Sequence, residues 1–98
     1  MKEYMVIVKF LIAFHEEFAS LIPGQRNEVN RLMEEGILTS YCLSSDRETL
    51  WMTFHAESSD AVAKVLKTMP LSKFMRYEIV GLMFHNHTTY TPMQFSMN

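Results

Sequence analysis

Residues 69–85 read MPLSKFMRYEIVGLMFH, and this stretch decides how the rest of the chain is understood. Pro70 has no backbone donor and stops whatever helix precedes it. Leu71, Phe74 and Met75 then make a short apolar corner. Over 77–85 apolar residues fall on both alternating parities, in a run of strand length. A strand apolar on both faces is expected to be covered on both faces. Fold class and self-association follow from that inference, whereas a particular reaction does not.

Upstream of Pro70, Val62, Val65, Leu66 and Met69 hold the i, i+3, i+4, i+7 spacing of a buried helix face. Lys64 and Lys67 point away, and Ser58 or Ser59 caps the start with Asp60 in the first turn. Residues 49–56 alternate, with Leu50, Met52, Phe54 and Ala56 on one face and Thr49, Trp51, Thr53 and His55 on the other. The polar turn at 45–48 joins them to 37–44, a more polar run suited to a sheet edge, so the two form a hairpin. Further back, 14–22 reads as a short helical turn ended by Pro23, which opens a second helix running to about Glu35. Ile22, Val29, Leu32 and Met33 share one face of that helix, Arg26, Asn30, Glu34 and Glu35 face water, and Gly36 is its left-handed cap. Residues 4–12, rich in Val, Ile and aromatics, form a central strand.

The order strand, helix, strand, strand, helix, strand is the ferredoxin-like βαββαβ arrangement of an α+β domain. It predicts a four-stranded antiparallel sheet with both helices on one face. The domain is placed at 1–86, with a polar, Thr-rich tail at 87–98. The 98 residues suffice for one modest core. Nine basic and eleven acidic side chains leave a net charge of −2 with no cluster of either sign, which argues against a nucleic-acid partner. The apolar N-terminal run is interrupted by Lys9 and too short to span a bilayer, so no membrane association is expected. A single cysteine, Cys42, excludes an internal disulfide and fits a cytoplasmic setting.

Two helices cover only one sheet face, yet the strands carry large apolar residues on the other parity too. Trp51, and either Met5, Ile7 and Leu11 or their neighbours, would lie in water. Stacking that face on an identical one across a two-fold axis removes the exposure. The chain is therefore expected to be a homodimer with its sheets facing, a dimeric α+β barrel.

Pro70-Leu71, Phe74-Met75, Glu78-Ile79, Leu82 and His85 together resemble the end of muconolactone delta-isomerase. The likeness continues back through Glu57-Ser58 and Phe54 to Arg47, about half of the chain. It implies sheet-to-sheet dimers, assembled in some cases into larger rings. It also implies a cofactor-free pocket between sheet and helices in each subunit, suited to a small organic acid or lactone. The chain departs from the isomerase at His55, where the family carries an acidic residue, and in the helix region around Pro23.

Shifting a proton beside a lactone carbonyl needs a positioned acid/base and a donor for the enolate oxygen. His55, sharing its strand parity with Trp51 and Thr53, is the candidate base. Tyr41 on the neighbouring strand is the candidate donor. Arg47 and Arg26 are suited to a substrate carboxylate, with Trp51 and His85 as further substrate-binding candidates, although packing explains Trp51 better than ligand stacking does. His85 and His87 alternate to one side, but two ligands with no third nearby are a poor metal signal, so no metal and no cofactor are expected. The leading function is an isomerase-like enzyme acting on a small lactone or organic acid. The alternatives are a non-catalytic small-molecule-binding dimeric barrel and a cofactor-free monooxygenase of the same architecture.

Overall fold

Strand β1 (Lys2–Phe10) runs through the interior of the sheet, as its Val- and Ile-rich sequence requires. It is paired on both sides, antiparallel, with β3 (Thr49–Ala56) and β4 (Met75–Leu82). Strand β2 (Leu38–Leu43) adds to the far side of β3, so the order across the sheet is β2-β3-β1-β4. Helices α1 (Glu16–Glu34) and α2 (Ser59–Thr68) complete the βαββαβ chain. The structure, a computed structural model, describes residues 2–11, 16–86 and 88. His15, His87 and the tail expected over 87–98, apart from residue 88, lie outside the described residues.

Both helices cover the same face. Tyr4, Val6 and Val8 of β1 and Leu50, Met52, Phe54 and Ala56 of β3 are buried beneath them, with Val62 and Leu66 of α2 and Phe18, Val29 and Leu32 of α1. Ser58 caps α2, its hydroxyl oxygen accepting the Ala61 amide at 3.1 Å. Met69 closes the helix just before Pro70. The apolar corner expected after it is formed: Leu71, Phe74 and Met75 are buried, and a single 3-10 turn at Ser72–Phe74 leads into β4. That strand ends at Leu82, leaving Met83 and Phe84 beyond it and exposed.

The region around Pro23 differs from the expectation. One continuous helix replaces a turn followed by a second helix, and Pro23 lies inside it. A proline there removes one ladder hydrogen bond and crowds the preceding turn. The helix persists because both halves are anchored, Phe18 before the proline and Gln25, Val29 and Leu32 after it. Those four follow a helical stripe at 18, 25, 29 and 32. Met33, expected in the core, stands 39% exposed instead. The C-terminal cap is as expected: Gly36, at φ 76°, donates to Met33 while Ile37 donates to Leu32, the two-bond Schellman pattern.

Candidate functional site

Helix α1 does not close completely over the β2–β3 end of the sheet. The gap is a cleft of about 530 Å³. Phe10, Phe18, Leu50 and Leu71 form part of its apolar wall, and Met33 and Leu43 are exposed residues of its lining. Phe18 is fixed between Phe10 and Phe74, with ring centroids 5.3 Å apart in each edge-to-face pair, an arrangement aromatic quadrupoles favour. The polar lining comprises Gln25, Arg26, Asn30, Tyr41 and Arg47. A mostly apolar cleft with a few convergent polar groups is the usual form of a small-ligand site.

Each polar group has a local reason for its place. Tyr41 is directly opposite Met52 in the β2–β3 ladder, which puts it on the helix-covered face. Gln25 is 3% exposed and occupies a core position of α1. Its Oε1 accepts the Leu71 amide at 3.1 Å, and its Nε2 donates to the Tyr41 hydroxyl oxygen at 3.1 Å. Burial pushes the Tyr41 hydroxyl above its ordinary pKa, with the Gln25 hydrogen bond acting the other way. The phenol is therefore a protonated donor near neutral pH and not a base.

Arg47 stands in the β2–β3 turn at φ 67°, in the left-handed region. Its amide donates to the Ser44 carbonyl at 2.9 Å. The Asp46 carboxylate accepts the Ser44 hydroxyl at 2.6 Å and the Glu48 amide at 2.9 Å. The Ser44 hydroxyl and the Glu48 amide hold the Asp46 carboxyl below its usual range, burial opposing them weakly. Arg47 of this turn lines the cleft, as does Arg26 of α1. Together they make the cleft attractive to a carboxylate.

The sequence-derived candidates thus divide between two faces of the sheet. Tyr41, Arg26 and Arg47 converge on the cleft. Trp51 pairs with Cys42, and His55 with Glu3, on the face the helices leave open. His55 and Tyr41 therefore do not form one acid/base pair within a chain. His55 instead approaches Glu3, Nε2 to Oε2 at 3.3 Å, and His85 contacts the other oxygen of the same carboxylate, Nδ1 to Oε1 at 2.9 Å. No group of three His, Cys, Asp or Glu side chains among the described residues is arranged to hold a metal ion.

Sequence reading missed Gln25 and Glu3. For Gln25 a signal existed: an amide on the apolar stripe of an amphipathic helix is a buried polar group needing partners. Glu3 gave none, because its meeting with His85 joins the two ends of the domain.

A ferredoxin-like sheet whose first helix leaves a polar-cornered cleft defines a small α+β domain of βαββαβ order. The family model for muconolactone delta-isomerase matches residues 4–88, and the chain belongs to that family. The match takes in the N-terminal half as well as the C-terminal half. Among solved structures, a crystal structure of muconolactone isomerase aligns with a TM-score of 0.71 at 18% identity, covering 91% of this chain and 96% of the other. At that identity the likeness speaks for the fold. No curated protein matches the chain. No helix among the described residues is long and apolar enough to cross a membrane.

Proposed function

We propose that the chain is an isomerase-like, cofactor-independent protein that takes a small lactone or organic acid into the cleft beneath α1. The observation that carries this reading is the convergence of Tyr41, Arg26 and Arg47 on one apolar-walled space. Tyr41 donates to the carbonyl or enolate oxygen, the two arginines hold a carboxylate, and the phenylalanines cover the carbon skeleton. A preorganised donor in such a half-buried corner stabilises charge that develops on oxygen more strongly than water does.

A second reading, a non-catalytic binder using the same cleft, is favoured by a specific observation. Among the described lining residues none is a carboxylate or an imidazole, so the lining has no group suited to accept a carbon-bound proton near neutrality. In the isomerase reading the base reaches the ligand from outside that lining.

Following muconolactone conversion by ultraviolet absorbance separates the two. The isomerase reading expects turnover by the wild type and a loss of about a hundredfold in Tyr41→Phe. Absence of turnover, with a small carboxylate still bound in the cleft, selects the binder.

A homodimer with facing sheets belongs to the same proposal. It is supported by the open face, where Trp51 and Val80 are 39% and 36% exposed beside half-buried Met5, Ile7 and Leu82. A cytoplasmic setting, consistent with the free and exposed Cys42 thiol, completes it.

A further inference from the structure

Gln25 is the one amide on the buried stripe of α1, and its two ends are not interchangeable. Leu71, just past Pro70, presents a backbone N–H 3.1 Å from one end of the Gln25 amide. An N–H can only donate, so the Gln25 atom facing it is the oxygen. The NH2 group is then fixed on the other side, 3.1 Å from the Tyr41 hydroxyl oxygen and 3.5 Å from the Met69 sulfur. Because Tyr41 accepts that bond, its own proton is turned away from Gln25. Among the described residues no acceptor meets that proton, and Tyr41 lines the cleft.

We infer that Gln25 is a positioning residue that sets the hydrogen-bonding polarity of the cleft. By holding the Tyr41 hydroxyl as a donor, it selects ligands that present a carbonyl or carboxylate oxygen at that corner over ligands that present an N–H or O–H. The polarity originates in a backbone amide that cannot be reversed. Proline at 70 ends the helix, the Leu71 amide is left without a helical acceptor, and the Gln25 side chain passes that constraint to the site. The inference rests on the cleft being the ligand site.

Acetophenone and aniline are suitable probes. Both are neutral at pH 8, so net charge does not draw either to the arginines, and any arginine N–H bond to the carbonyl is common to wild type and variants. The first offers only an acceptor, the second chiefly donors. Binding is read by two-dimensional amide NMR titration of the full-length chain. The wild type is expected to bind acetophenone about tenfold more tightly than aniline, the worth of one well-placed hydrogen bond. In Gln25→Glu one carboxylate oxygen keeps the Leu71 amide and the other takes the Tyr41 proton, leaving the phenol as an acceptor. The preference is then expected to reverse in favour of aniline. Gln25→Met, which buries no charge, releases Tyr41 from any fixed orientation and brings the two affinities to within about threefold. A role in packing alone predicts equal losses for both probes in every variant.

An unchanged acetophenone-to-aniline ratio in a folded Gln25→Met or Gln25→Glu variant overturns the inference while leaving the cleft as the ligand site. If neither probe shifts the amides of cleft residues in the wild type, the cleft reading falls and takes the inference with it.

Discussion

Arg47 adopts a backbone conformation that costs most residues about 1–2 kcal/mol, and it does so in the lining of a cleft. The Ser44–Asp46 hydrogen bonds hold the turn in place, so the strain is maintained by its surroundings and not by Arg47 itself. Glycine adopts that conformation without the steric penalty, at some cost in chain entropy. Arg47→Gly is accordingly expected to leave chemical-denaturation stability unchanged or raise it by up to about 1 kcal/mol. Affinity for a small carboxylate such as benzoate should meanwhile fall by about tenfold, the loss of one charge-assisted contact at a partly exposed site. A variant that is both destabilised and unaltered in benzoate binding would show that the arginine is kept for the turn alone.

Helix α1 is the element that both builds and limits the site. Pro23 interrupts its hydrogen-bond ladder, and Gly24 follows at once, so the helix is weakest where it passes Pro70. A side chain at 24 has room: a Cβ there would lie 3.5 Å from the Pro70 ring, ordinary van der Waals contact. Gly24→Ala is therefore expected to stabilise the fold by about 0.5–1 kcal/mol through helix propensity, measured as a higher denaturation midpoint with unchanged slope. Destabilisation would mean that close approach of α1 to the Pro70 corner needs the missing methyl. The same corner supplies the Leu71 amide to Gln25, so the stop signal after α2 and the stripe on α1 meet at one point. Elements distant in sequence define the polar end of the cleft together.

At the scale of the molecule, the sheet has one face covered by helices except at the cleft and another left with mixed chemistry. Its open side carries Trp51 and Val80 partly exposed, yet also the Glu3 carboxylate between His55 and His85 and the near-buried hydroxyl of Thr53. Thr39 and Ser40 both approach the Thr53 hydroxyl at 2.6 Å, where the β2–β3 register shifts. Trp51→Lys should leave the helical signal and cleft binding intact but prevent self-association, because it places a charge at the apolar centre of that face. Sedimentation velocity at micromolar concentration checks this; a wild type that already sediments as a monomer removes the dimer from the proposal.

The sequence by itself left the α2 cap between Ser58 and Ser59 and the facing of β1 to the structure. It determined the order of elements, the hairpin, the cap at Gly36, the apolar corner after Pro70 and the helix-facing parity of β3. These are local properties: periodicity, capping chemistry and breakers act over a few neighbouring residues. It also singled out Tyr41, Arg26 and Arg47 as candidates by residue type, but that all three line one cleft was not visible in one dimension. Only the tertiary structure decided that α1 runs unbroken through Pro23, because burial on both sides of the proline outweighs its local preference. Only tertiary structure decided, too, that Tyr41 and His55 stand on opposite faces, since facing is fixed by pairing Tyr41 with Met52 and not by position along β2. Gln25 acquired its meaning in the same way. An amide's role is set by what lies at each of its ends, and here those ends are a strand and a corner brought together by folding.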